Sequence, residues 1–204
     1  MHATGGAPKV YFHSTTQQVS TLAGGVRATL YADEGARLEV LKQTSPSAAK
    51  MLPNDRIYFS SQIEGPLTLV MNGDGELPLV LTNQTFHSTG SLVASKGTLE
   101  LAKGASWKNG TDFTASGTGT LKFAAKGQVD RRIARLHLED EGVIFIPKGV
   151  TLHFASADVN GVPVETGVYT GKATPDATSA DIADRIVGGG TLKVGKFGLT
   201  LVVE

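Results

Sequence analysis

The sequence predicts an all-β chain wound as a parallel β-helix, a β-solenoid of roughly 22-residue coils closed by a C-terminal cap. Three observations predict it. A Gly-x-Leu-x-(Leu/Phe) phrase returns in Gly75-Glu76-Leu77-Pro78-Leu79, Gly97-Thr98-Leu99-Glu100-Leu101 and Gly119-Thr120-Leu121-Lys122-Phe123, so Leu77, Leu99 and Leu121 stand 22 residues apart, and one more step reaches Val143 in Glu141-Gly142-Val143-Ile144-Phe145. Leu, Val and Phe fall in short alternating runs rather than in helical stripes. Glycine is abundant, 25 of 204 residues, and punctuates those runs, as tight turns require. A solenoid coil is a scaffold, which argues against a pocket enzyme before any catalytic residue is considered.

In chain order, Val10-Tyr11-Phe12, Val26-Arg27-Ala28-Thr29-Leu30-Tyr31 and Leu38-Glu39-Val40-Leu41 read as strands, parted by Ala23-Gly24-Gly25 and Asp33-Glu34-Gly35. Gln43 to Asp55 is polar and holds Pro46 and Pro53, as expected of a loop inserted between coils. From Arg56 to Ala155 a 22-residue stacking gives apolar columns: Ile57, Leu79, Leu101, Phe123 and Phe145; Val70, Leu92, Thr114 and Leu136; Ile63, Thr85, Trp107 and Val129. Gly75, Gly97 and Gly119 form a column where the backbone must turn sharply. After Ala155 the period fails. A hairpin is expected around Asn160-Gly161, one helical turn within Pro175 to Asp184, and final strands at Thr191-Leu192-Lys193-Val194 and Leu199 to Val203. Residues 1–55, 56–155 and 156–204 are therefore read as irregular N-terminal coils with a loop, regular coils and a capping segment of one continuous unit.

Nineteen basic residues balance 19 acidic ones and the isoelectric point is near 7.0, so no general field steers a polyanion and nucleic acid is not an expected partner. Cysteine is absent, which removes disulfides, thiolate catalysis and cysteine metal sites together. No run is long and apolar enough to insert in a membrane. Met1 is read as an added start, with an export signal expected upstream in a longer parent protein.

The phrases Gly97 to Leu101 and Gly117-Thr118-Gly119-Thr120-Leu121-Lys122-Phe123 resemble the autotransporter-associated β-strand repeats, the pertactin-like β-helix regions of large secreted bacterial proteins. The ending Val159-Asn160-Gly161-Val162-Pro163, Gly167-Val168-Tyr169-Thr170 and Ile186 to Val194 is similar to the closing segment of many such proteins, some of which carry glycan-active enzyme domains. The resemblance implies a right-handed parallel β-helix, export, and a role at the cell surface or outside the cell. It implies no catalytic residue.

The five histidines, His2, His13, His87, His137 and His153, are scattered, so neither a metal nor any other cofactor is expected. Asn72-Gly73-Asp74-Gly75 reads as a plain turn rather than a calcium loop. The densest charged cluster, Asp130-Arg131-Arg132, Arg135, His137 and Glu139-Asp140-Glu141, is the place to look for a lyase or hydrolase, but alternate strand residues face opposite ways, and no catalytic site is assigned. Carbohydrate binding needs an aromatic platform with planar polar partners. Trp107 and Tyr58, with Asn109, Arg131 and Arg132, are the candidates, and Tyr31 and Tyr169 further aromatics; the column mates Ile63 and Val129 equally place Trp107 in the core. The expected function is a non-catalytic carbohydrate-binding accessory module of a secreted glycan-active protein, its partners a polysaccharide or host glycan and other domains of the parent chain. A structural spacer or adhesin stalk is the alternative, and a β-helical polysaccharide lyase or glycoside hydrolase the third.

Overall fold

A computed structural model describes residues 9–23, 28–42, 57–73, 77–83, 85–172 and 176–195. The chain is a β-solenoid of about 6 turns with ~23-residue spacing. Its strands fall into three walls visited in the same order by each coil. The first coil holds β1 (Lys9–Phe12) and β2 (Thr16–Val19), and the second β3 (Thr29–Ala32), β4 (Arg37–Val40) and β5 (Ile57–Phe59). The third holds β6 (Gln62–Gly65), β7 (Thr68–Asn72) and β8 (Leu79–Leu81), the fourth β9 (His87–Ser88), β10 (Leu92–Lys96) and β11 (Thr98–Leu101). Then come β12 (Asp112–Ala115) and β13 (Thr120–Phe123), followed by β14 (Arg135–Leu138), β15 (Val143–Phe145) and β16 (Thr151–Phe154). The closing part comprises β17 (Ser156–Val159), β18 (Val162–Pro163), β19 (Gly167–Thr170), a 3-10 turn at Ile182–Arg185, β20 (Ile186–Val187) and β21 (Thr191–Val194).

The first wall is β1-β3-β6-β9, the second runs β2-β4-β7-β10-β12-β14-β17 and the third β5-β8-β11-β13-β15-β20, all paired in parallel. After β9 the first wall is interrupted by residues 102–111 and 124–134, and β16 with β21 resumes it in chain order. The first two coils, read from the sequence as irregular, already pair in register with the rest. The C-terminal end closes differently: β18 turns back antiparallel on β17 through Asn160 and Gly161, both at positive φ, and β19 lies antiparallel to β21. The Asn-Gly hairpin expected from the sequence is thus present, as is a short helical turn capped by Asp181.

Register corrects the fixed-interval columns. Leu79 pairs with Leu99 after 20 residues, Leu99 with Leu121 after 22 and Leu121 with Ile144 after 23. So Leu79, not Leu77, precedes Leu99, and Ile144, not Val143, follows Leu121. Phe145 lies opposite Lys122 on the outer face rather than beneath Phe123. In the second wall Leu92 faces Leu69 and Phe113, not Val70 and Thr114. Turns of unequal length shift the phase by one or two residues, and a one-residue slip exchanges the two faces of a strand. The Trp107 column holds, with Phe86 in place of Thr85: the Phe86 N–H donates to the Ser106 carbonyl and the Trp107 N–H to the Gln128 carbonyl.

Buried Leu, Ile, Val and Phe fill the interior from Leu30 to Val194. Near its centre each wall position sends in one ring, Phe113, Phe123 and Phe154, with centroids 5.6 to 6.0 Å apart. Glycine is demanded where a corner of one coil presses on the last: a Cβ on Gly119 would lie 1.8 Å from the Ala94 carbonyl oxygen, and Gly97 sits at φ +70. Gly75 and Asp74, the loop expected at 43–55 and the strand expected at Leu199–Val203 lie outside the described residues.

Candidate functional site

The outer face of the first wall carries an aromatic ladder. Parallel register aligns Tyr11, Tyr31, Glu64 and His87 in one column and Lys9, Thr29 and Gln62 in the next. The Tyr11 and Tyr31 rings stack with centroids 5.0 Å apart and planes 16° from parallel, and Lys9 Nζ lies 5.6 Å from the Tyr31 centroid. Tyr11 is 58% exposed, Tyr31 half-buried. Beside them Asn83 Nδ2 donates to Gln62 Oε1 at 3.0 Å and to the Ser60 carbonyl at 3.3 Å. Planar amides and an exposed phenol on one wall, here two strands apart, are elements from which sugar sites are built.

Where this wall breaks, the two loops leave an open cleft of about 360 Å³, lined by Thr85, Ser106, Lys108, Lys126 and Gln128 among others. The buried Gln128 fixes its shape: Nε2 donates to the carbonyls of Leu101, Ala102 and Ala105 at 3.1, 2.8 and 2.9 Å, and Oε1 accepts from the Ala125 N–H. The Leu101 and Ala102 carbonyls also accept the N–H groups of Ala124 and Ala105, so the amide adds a second bond to each and satisfies the Ala105 carbonyl and the Ala125 N–H, which no strand pairs.

The residues singled out from the sequence fall in three places. Trp107 is fully buried, stacked 5.1 Å from Phe86, its Nε1 donating to the Gly90 carbonyl at 3.0 Å. It offers no face to a ligand, and the platform expectation is corrected to a core role. Tyr58 is half-buried on the third wall opposite Val80, apart from the other candidates. Asn109, Arg131 and Arg132 are exposed on the two loops of the break. Arg132 clasps Asp130 through Nε and Nη2, the latter at 2.6 Å, and these bonds bring the Asp130 carboxyl down to about 2. Tyr31 belongs to the aromatic ladder. Tyr11 was missed as a candidate, although its 20-residue step to Tyr31 on a repeating strand is the signal that reveals it. Tyr169 bonds the Glu165 carbonyl and packs against the core.

The charged cluster around residues 130–141 is divided by the fold. Arg135 and His137 project from the second wall and meet carboxylates of neighbouring coils: Arg135 Nε is 2.9 Å from Asp112, and His137 lies 2.6 Å from Asp158 and 3.3 Å from Asp112. Burial pushes the Asp112 carboxyl up, but hydrogen bonds from Thr111, Arg135 and His137 together hold it below its ordinary value. This is a network whose members satisfy one another. Glu139, Asp140 and Glu141 are exposed at the corner leading to β15. No group of three or more His, Cys, Asp or Glu among the described residues is arranged to hold a metal ion, and no helix among them is long and apolar enough to cross a membrane. No protein-family model, no curated protein and no solved structure matches the chain.

Proposed function

We propose that this β-solenoid is a non-catalytic carbohydrate-binding module, acting as an accessory part of a larger exported bacterial glycan-active protein at the cell surface or outside the cell. The observation that carries the reading is the stacked Tyr11–Tyr31 pair on the outer face of the first wall. A pyranose presents an apolar C–H face that stacks on an exposed ring, while its hydroxyls seek planar hydrogen-bonding groups such as Gln62 and Asn83. Tyr31 behind Tyr11 and the parallel strands beneath both hold the ring in place before the ligand arrives, which lowers the ordering cost of binding. Export and attachment to an enzyme draw their support from the likeness of the repeat phrases to autotransporter-associated repeats.

The test is retention of the purified protein on a glycan and mucin panel, with product formation followed in the same samples. Tyr11→Ala is expected to weaken retention about tenfold, the loss of one ring contact, without lowering the melting temperature. Absence of retention would replace this reading with that of a structural β-helical spacer, and retention indifferent to Tyr11→Ala would show that the Tyr11–Tyr31 pair is not the site. Release of reducing ends or unsaturated uronate would overturn the non-catalytic assignment.

A further inference from the structure

We infer that the break in the first wall is an anion-binding cleft and that the glycan held by this protein is acidic, with a carboxylate or sulfate seated between Lys108 and Lys126. The inference rests on the carbohydrate-binding reading and names the class of ligand. Its first support is charge. The chain as a whole is balanced at 19 and 19, yet the two loops of the break, 102–111 and 124–134, carry Lys103, Lys108, Lys126, Arg131 and Arg132 against a single carboxylate, Asp130. That carboxylate is already taken by Arg132. Lys103, Lys108 and Lys126 are exposed and have no ion-pair partner among the described residues. The arrangement also repeats: Lys103, Lys126 and Lys148 follow β11, β13 and β15 by two or three residues, so successive coils bring a cation to the same corner. Like charges gathered this way repel one another, and an anion between them relieves the repulsion.

The second support is shape. The cleft, about 360 Å³, falls within the size range of small-ligand sites, and Thr85 and Ser106 add hydroxyls to its lysines. Its walls are built in advance, because Gln128 ties the carbonyls of Leu101, Ala102 and Ala105 together and Trp107 anchors its loop to Gly90.

Position is the third. Thr85 stands two residues before His87 of β9, so the cleft opens at the end of the wall that carries Tyr11 and Tyr31. From β3 through β6 and β9 to the cleft is about three strand spacings, roughly 15 Å. An extended polysaccharide lying along the solenoid axis would touch the aromatic pair with one sugar and the cleft with another.

The experiment measures affinity for oligogalacturonate, a heparin-derived oligosaccharide, a neutral cello-oligosaccharide and a short single-stranded DNA. It uses the wild-type protein and the variants Lys108→Glu/Lys126→Glu, Lys42→Glu and Tyr11→Ala, at two salt concentrations. The expected result is preference for one or both acidic glycans over the neutral one. The double variant should weaken that binding at least about tenfold, Lys42→Glu, at a different corner, should leave it unchanged, and salt should lower the affinity as it screens the exposed charges. The stronger of the two acidic arms then identifies carboxylate or sulfate as the anion. Neutral glycan bound equally well, lost with Tyr11→Ala and kept by the double variant, would sink this inference while leaving the glycan reading in place. DNA bound as tightly as the acidic glycans would also overturn it, in favour of an unselective polyanion surface. No binding in any arm would remove both readings.

Discussion

Trp107 shows how much one side chain can decide. Its indole lies wholly inside the solenoid at the level where the first wall has no strand, and it supplies there what a strand would: apolar contact with Phe86 and a hydrogen bond to the Gly90 carbonyl. Trp107→Ala removes a large buried ring and leaves that carbonyl unpaired, so a loss of about 3–5 kcal/mol in urea unfolding is expected. An unchanged unfolding midpoint would refute the core role. The sequence held this answer in part: Ile63, two coils before it in the repeat, and Val129, one coil after, pointed Trp107 inward, and the structure agrees. It could not show Gln128 as the second half of the repair, because a single glutamine in a loop reads as solvated until the carbonyls that converge on it are placed in space.

Among elements, the coils differ most at their corners. Gly119 approaches the Ala94 carbonyl so closely that Gly119→Ala must push two coils apart or break the hydrogen bond from the Gly119 N–H to the Ser116 carbonyl. The expected outcome is a loss of several kcal/mol, as for overpacking against backbone, read as a sharply lowered melting temperature; a melting temperature within a degree of wild type would show that the corner yields. The wall strands were legible because Gly-x-Leu-x-Leu repeats an inside-outside alternation that only a coil explains. Their exact partners were not. Leu69, Val70 and Met71 are all buried in β7, so hydrophobicity alone cannot tell which of them faces Leu92, and turns that lengthen by one residue leave no mark in composition. The aromatic ladder of the first wall was half visible: Tyr31 was singled out, while Tyr11 needed the true 20-residue step to be found. The interruption of that wall had no signal of its own beyond a run of lysines and arginines between two leucine-rich strands.

At the scale of the whole molecule, the stack is held to its cap by a buried cation. Arg185 is fully buried, its Nε donating to the Ser179 carbonyl at 2.7 Å and its Nη1 to Gly142 at 3.1 Å; burial pushes its pKa down, though a guanidinium remains charged at neutral pH. In Arg185→Met both carbonyls lose their donor, for a cost of about 3 kcal/mol. Because each coil of a solenoid leans only on its neighbours, the damage is expected to be local. Amide hydrogen exchange should quicken in β19 to β21 and leave β10 to β13 protected, and uniform acceleration along the chain would contradict a nearest-neighbour stack. The two ends of that stack also differ in what they can recruit. Among the described residues β1 and β2 are the outermost strands of their walls at one end, whereas at the other β18 and β19 run against the grain of the coils. Filament growth by identical subunits requires two faces that match. At that second end β18 and β19 lie reversed while the third wall still finishes on the parallel strand β20, so a copy stacked head to tail would meet a mixed surface unlike the one that β1 and β2 present.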